Sequence, residues 1–172
     1  MVEARDSNPL EFGWRMATRF GADCYLFVAP AFVDSAETRT RLIEKCGLDR
    51  ILELATALDI AVLSVGDISM ESTSLTASMV TAKELGEVVA KGAVCDVLCN
   101  FLDRDGRSVD HPLNGRVMSI ELDQLRKAGH VVIATGGAHR ATAIAAAIAR
   151  VGCNTLVTDE TAATALLALK AG

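Results

Sequence analysis

Aromatic residues are scarce in this chain. Only 4% of its 172 residues are Phe, Trp or Tyr although 51% are hydrophobic, so a core has to be assembled from Ala, Val, Leu and Ile. That palette suits helices packed closely on a parallel sheet. Positive charge is also in short supply. Seventeen Lys and Arg stand against 22 Asp and Glu, for a formal net charge of −5. No basic cluster is long enough to form a footprint on a nucleic-acid backbone, so this stretch of chain is not expected to touch DNA or RNA itself. Long apolar runs are missing as well. Nothing approaches the roughly 18 residues of a membrane-spanning helix, and the N-terminus lacks the charged-then-apolar plan of a signal peptide. The expectation is a cytoplasmic protein with no membrane partner. The length favours one domain over residues 1–172.

Three motifs are absent. No GxGxxG, P-loop or GxSxG occurs, which removes the best support for dinucleotide, nucleotide-triphosphate and serine-hydrolase chemistry. Cys24, Cys46, Cys95, Cys99 and Cys153 are odd in number and scattered through apolar segments, and read as reduced core thiols. Cys95 and Cys99 have no second Cys or His pair downstream to complete a zinc site. No cofactor or metal is expected.

What is present is a succession of helix and strand signals. Ser7-Asn8-Pro9 reads as a helix start, with Leu10, Trp14, Ala17 and Phe20 at helical spacing and Gly21 as the stop. Trp14 reads as a packing residue. Cys24 to Val28 reads as a short strand, Asp34 or Ser35 as the cap of a helix to Cys46, and Leu48 to Leu58 as an amphipathic helix. Ile60 to Val65 is the clearest buried strand. Ser69 to Ser78 reads as a loop, and Thr81 with Glu84 as a capping box. Asp96 to Asp103 and Arg107 to Val109 read as a hairpin about Asp105-Gly106, Arg116 to Ile120 as another strand, and Leu122 to Ala128 as a short helix. His111 and His130 read as surface residues.

The last forty-odd residues hold a doubled unit. HVVIATGGAHRATAIAAAIARV, residues 130–151, and NTLVTDETAATALLAL, residues 154–169, each run from apolar strand through a small-residue corner into an alanine-rich helix. Strands alternating with helices predict an α/β fold with a mostly parallel sheet and helices on both faces. Ligands of such folds sit beyond the carboxyl ends of the strands. There, free N–H groups of a helix start attract anions, while carboxylates suit hydroxyls. Gly66-Asp67, Gly136-Gly137 and Thr158-Asp159-Glu160 are therefore the loops of interest.

SNPLEFGWRMATRFGADCYLFVAPAFVDS, GAVCDVLCNFLDRDGR, RVMSIELDQLR, VVIATGG and NTLVTDETAATALL, in that order and spacing, resemble the effector-binding domain of the SorC family of bacterial transcriptional regulators. The resemblance runs from about Ser7 to Leu169. It implies a fold similar to the glucosamine-6-phosphate deaminase and ribose-5-phosphate isomerase group, used for sensing a sugar phosphate. A homo-oligomer and an attached helix-turn-helix are implied too, with DNA reached only through that attached part, which this sequence lacks together with the first part of the effector domain. Two positions depart from the family pattern. Where Gly-Ile-Gly is common the chain has Val65-Gly66-Asp67, a carboxylate that either disfavours an anion or holds a hydroxyl. Where a lysine commonly follows the Gly-Gly turn the chain has Arg140, whose planar fork binds differently.

The candidate ligand-binding residues are Gly66, Asp67, Asp96, Gly136, Gly137, Arg140, Asp159 and Glu160; no catalytic residue is assigned. Each has a plain alternative. The glycines suit a tight βα corner, Asp159 and Glu160 a cap and first helical turn, Arg140 a solvated side chain, and Asp96 a buried acid bonded within the protein. His139 is either an exposed loop residue or a phosphate contact. The sequence is read as the ligand-sensing domain of a SorC-like regulator, not an enzyme, binding a sugar or sugar phosphate. A sugar-phosphate isomerase or deaminase on the same fold, with Asp96 or Asp159 as base, is the alternative, and an oligomerisation module without ligand the third reading.

Overall fold

The computed structural model describes residues 9–68 and 79–170. The expected cap at Ser7-Asn8 and the expected loop Ser69 to Ser78 lie outside those residues. In chain order the elements are α1 (Pro9–Phe20), α2 (Ala36–Lys45), α3 (Asp49–Leu54), β1 (Ile60–Leu63), β2 (Gly66–Asp67), α4 (Ala82–Ala90), β3 (Cys95–Val97), β4 (Asn100–Leu102), α5 (Leu122–Leu125), β5 (His130–Ala134), α6 (Ala141–Val151), β6 (Thr155–Val157) and α7 (Glu160–Lys170). Short 3-10 turns occupy Pro112–Arg116 and Ala138–Arg140.

The doubled unit folds as its pattern predicts, into β5, α6, β6 and α7. β5 is the middle strand of a parallel sheet ordered β1-β5-β6, with Ile60 beside His130 and Val132 beside Thr155. Alternation sends Ala61, Leu63, Val131 and Ile133 to one face, against Ala143, Ala146, Ala147 and Val151 of α6 and Leu122 and Leu125 of α5. Alanines on α6 let the helix lie close to the sheet, which is how a core nearly free of aromatics still closes. Gly152, left-handed at φ 67°, ends that helix.

The opposite face of the same sheet is open among the described residues. Ile60, Val62 and Val157 are 61%, 64% and 56% exposed. The run Ile60 to Val65, expected as a wholly buried strand, is thus buried only at alternate positions and ends at Leu63. Periodicity could not show this, because a run apolar on both faces reads the same whether one face or two is covered.

A second, antiparallel sheet is ordered β2-β3-β4. Here the expected single strand from Asp96 to Asp103 is corrected. Leu98 and Cys99, at φ 49° and 65°, fold it back into a two-residue hairpin. Neither residue signals such a turn, which normally selects Asn or Gly. Side chains hold it instead. The Asp96 carboxylate accepts the Cys99 N–H at 3.1 Å, and Asn100 donates through Nδ2 to the carbonyls of Val97 and Leu98. The expected return strand Arg107 to Val109 shrinks to a bridge between Ser108 and Leu102, and that at Arg116 to Ile120 to a bridge between Val117 and Phe32. No strand forms at Cys24 to Val28, and the helix expected to reach Leu58 ends at Leu54.

Behind this sheet a smaller cluster of Val88, Ala93, Phe101, Val109 and Leu113 is buried. Asn114 stitches it, accepting the Phe101 N–H and donating to the carbonyls of Phe101 and Val109. His111, expected at the surface, leaves only 8% of its side chain exposed, with Nε2 3.2 Å from Glu87 and Nδ1 accepting the Leu113 N–H. Ser35 caps α2, and Thr81 with Glu84 forms the expected box on α4. The Thr81 N–H and hydroxyl, then Arg116, hold the Glu84 carboxyl down at about 2. Arg116 also donates to the Val33 carbonyl, so one guanidinium ties α4 to the segment before α2.

The tip of the loop after β4 is wedged on α6. Gly106 has φ 78°, and a Cβ there would stand 2.5 Å from the Ala146 carbonyl oxygen. Gly106→Ala is expected to lower unfolding free energy by about 1–3 kcal/mol. Gly92→Ala, also at positive φ but facing open space, isolates the backbone cost alone. Urea unfolding of both variants checks this: Gly106→Ala must cost the more, and equal losses would show that the contact with α6 carries no weight.

Candidate functional site

The carboxyl ends of β5 and β6 stand side by side. Ala134 is in register with Val157, and the Thr135 N–H donates to the Val157 carbonyl at 3.0 Å. Beyond them the chain turns twice, through Thr135-Gly136-Gly137 into the 3-10 turn and α6, and through Thr158-Asp159 into α7.

Asp159 joins the two corners. One carboxylate oxygen accepts the Gly137 N–H at 2.6 Å; the other accepts the Ala162 N–H at 2.8 Å and the Thr161 hydroxyl at 2.6 Å. These bonds, the Thr161 hydroxyl foremost, hold its pKa at about 2. The first glycine is required by this clasp, because a Cβ on Gly136 would sit 2.1 Å from the Asp159 carboxylate. The second adopts φ 99°, which a side chain resists. Glu160 opens α7 on the exposed surface.

Arg140 closes the 3-10 turn and immediately precedes α6, where a cation opposes the helix dipole. Its Nε donates to Asp67 at 3.1 Å, with 29% of the arginine side chain and 9% of the aspartate side chain exposed. The two departures from the family pattern therefore meet as an ion pair. It links the end of β5 to the antiparallel sheet. Across that sheet Gly66 is in register with Asp96, itself 5% exposed and bonded to the Cys99 amide.

The predicted residues thus form three neighbouring groups. Gly136, Gly137 and Asp159 share one cluster, Asp67 and Arg140 are paired, and Gly66 and Asp96 face each other in the small sheet; Glu160 stands apart from the bonded pairs. The sequence reading missed Thr135, and it placed Thr158 in a loop of interest without counting it among the candidate residues. Each hydroxyl is buried without a hydrogen-bond partner among the described residues, an arrangement uncommon enough to require an explanation. A signal existed, since threonine is the first residue after the strand in both copies of the doubled unit. Among the described residues no three His, Cys, Asp or Glu gather as metal ligands, and burial pushes the Cys95 thiol up to about 12. Trp14, expected to pack, is 62% exposed on α1 and lines a shallow surface hollow with Ala17, Gly21 and Tyr25, outside these clusters.

A parallel sheet with glycine, guanidinium and carboxylate groups near its strand ends is the arrangement in which α/β domains hold their ligands. Comparison with known proteins gives the family. The model described as "Putative sugar-binding domain" matches residues 6–168. The transcriptional regulator LsrR of Klebsiella pneumoniae subsp. pneumoniae is 36% identical over 144 residues, covering 82% of this chain and 45% of the relative. The crystal structure described as "Putative Sugar-Binding Domain of Transcriptional Repressor from Vibrio fischeri" superposes with a TM-score of 0.85 at 27% identity, over 96% of this chain and 66% of that one. Full-length SorC, the sorbitol operon regulator of Klebsiella pneumoniae, shares the fold with a TM-score of 0.81 at 24% identity, over 91% of this chain and 50% of that one. The chain belongs to the sugar-binding domain family of SorC-type transcriptional regulators, and it spans about half the length of the curated relatives it matches. No helix among the described residues is long and apolar enough to cross a membrane.

The clasp titrates. Because the folded pKa of Asp159 lies below the ordinary value of 3.8, its stabilising contribution is complete above about pH 5 and is lost as pH falls toward 2. Carboxyl NMR should find the midpoint at about 2, and Thr161→Val should move it upward. The stability gap between wild type and Asp159→Asn should narrow between pH 5 and pH 2, and a gap constant over that range would contradict the clasp.

Proposed function

We propose that the pair of corners beyond β5 and β6 is the effector site for a sugar or sugar phosphate, and that its occupation modulates DNA binding by a helix-turn-helix elsewhere in the regulator. The observation that carries this reading is the convergence, at one strand end, of Arg140 with the Gly136-Gly137 corner. Asp67 takes the Nε donor, and among the described residues no acceptor is seen for the Nη N–H groups. The Ala138 and His139 amides begin the 3-10 turn and have no earlier carbonyl within it. The unpartnered hydroxyls of Thr135 and Thr158 lie at the same strand ends. An effector that binds one arrangement of the regulator better than another, by about 1–3 kcal/mol, changes DNA affinity some 5- to 150-fold.

Sensing is favoured over catalysis by the state of the carboxylates. A general base for isomerisation needs a pKa near the working pH and a free oxygen at the substrate. Asp159 is held at about 2 by its three donors, and Asp96 is engaged by the Cys99 amide. The named relatives are regulators.

The test is a thermal-shift screen of sugars and sugar phosphates on this chain alongside a full-length family member. A ligand at 100 times its dissociation constant adds about 2.7 kcal/mol, and Arg140→Ala should abolish most of that gain. If no sugar or sugar phosphate stabilises either protein, the proposal fails.

A further inference from the structure

Two apolar surfaces of the chain are left uncovered among the described residues. The first is the open face of the β1-β5-β6 sheet, where the register sets Val62 beside Val132 and Ala134 beside Val157. Ile60, Val62 and Val157 stand out from it, and no Asp, Glu, Lys or Arg lies on this face. Its polar groups, the His130 ring and the Thr155 hydroxyl, bond to each other at 2.8 Å. Parallel sheets carry helices on both faces, so this one lacks a layer. The second surface is α1. Phe12, Met16 and Phe20 recur every fourth residue along one side of it and are 65%, 38% and 73% exposed. Gly13 turns toward Leu26 and Cys24 of the following segment, while Glu11, Arg15 and Arg19 form the polar side. We propose that the chain forms a two-fold homodimer in which the Phe12-Met16-Phe20 stripe of each copy covers the open sheet face of the other.

The two surfaces match in kind, length and area. An uncharged parallel sheet face takes the apolar side of an amphipathic helix, and α1 has such a side that its own core does not use. From Phe12 to Phe20 the stripe runs about 12 Å along the helix axis; from the level of Ile60 and His130 to that of Ala134 and Val157 the sheet face runs about 13 Å. The exposed parts of the three stripe residues and of Ile60, Val62 and Val157 come to roughly 600 Å² per copy, about 1,200 Å² for the pair, the lower end of stable specific interfaces. Two of the chain's five phenylalanines stand on the stripe, and aromatic residues are enriched at such contacts. Because one chain carries both unlike surfaces, a two-fold pair uses each of them once per copy and closes without leaving either exposed. The interface ends at Ala134 and Val157, next to the corners that begin at Thr135 and Thr158, and includes none of the proposed effector-binding residues. Dimerisation and sugar binding therefore fail independently.

Sedimentation of the 172-residue chain from low micromolar to submillimolar concentration tests the pairing. Wild type should pass from monomer to dimer, and dilution should move the amide NMR signals of residues 12–20 together with those of 60–62 and 130–134, an arm that depends on no variant. Met16→Glu, at the middle of the stripe, and Val62→Lys, at the middle of the sheet face, are each compared after circular dichroism shows them folded. Either charge should weaken self-association about tenfold or more. Val89→Lys, at an exposed position of α4 outside both surfaces, should leave it unchanged. Mixing Met16→Glu with Val62→Lys should restore the dimer, because one of its two contacts is then wild type and the other sets a glutamate against a lysine. A wild type that stays monomeric overturns the inference and leaves the sheet face to another occupant, such as a helix from a longer regulator. A dimer indifferent to Met16→Glu or to Val62→Lys overturns it as well, and so does a mixture that associates no better than its separate components.

Discussion

The Asp159 carboxylate is the constraint on which the rest of the corner depends. Parallel pairing brings β5 and β6 together, but it says nothing about the course of the chain after each strand. A single side chain on the second corner fixes both courses, by accepting an amide from the first corner and an amide and hydroxyl from its own helix. The requirement for glycine at position 136, the direction of the 3-10 turn and hence the place of Arg140 all follow from that anchorage. The residue is therefore structural and electrostatic at once: it positions the anion-attracting groups and partly neutralises them.

The second joint is the pair between Arg140 and Asp67. These residues are 73 positions apart and belong to different sheets. The pair explains a cation where the helix dipole disfavours one, since a partly buried carboxylate faces it. It also gives the small sheet a polar attachment to the corner after β5, in addition to the apolar packing of Cys95, Val97 and Leu102 in the main core.

Local features were legible where periodicity and corner chemistry agree. The doubled unit, the caps at Ser35 and Thr81 and the stop at Gly21 appear where the sequence places them, because each rests on residues adjacent in the chain, whereas the helix expected over Leu122 to Ala128 ends at Leu125. The family, too, was readable from ordered motifs. The hairpin at Leu98-Cys99 was not, since its positive φ angles are enforced by Asp96 and Asn100 instead of by turn residues. Short strands such as Arg116 to Ile120 dissolved into single bridges because a β-rich composition does not reveal whether a neighbour exists. Among the candidate site residues, Gly136, Gly137 and Asp159 were found together, whereas the pairing of Asp67 with Arg140 left no trace in either local sequence. Asp96 illustrates the limit: a buried acid demands partners, and only the fold identifies the amide of Cys99 as one of them.

The strand order also distributes stiffness. β5 carries Gly136, Gly137 and Arg140 from the middle of its sheet, paired on both sides and backed by α6. Asp67 hangs from β2, two residues long with one neighbouring strand among the described residues. Strands with fewer bonds and neighbours open locally at lower free energy. Under the proposed function, a molecule held between Arg140 and Asp67 would bridge an anvil and a spring, and what it would transmit to the remainder of a regulator is the quieting of the softer partner.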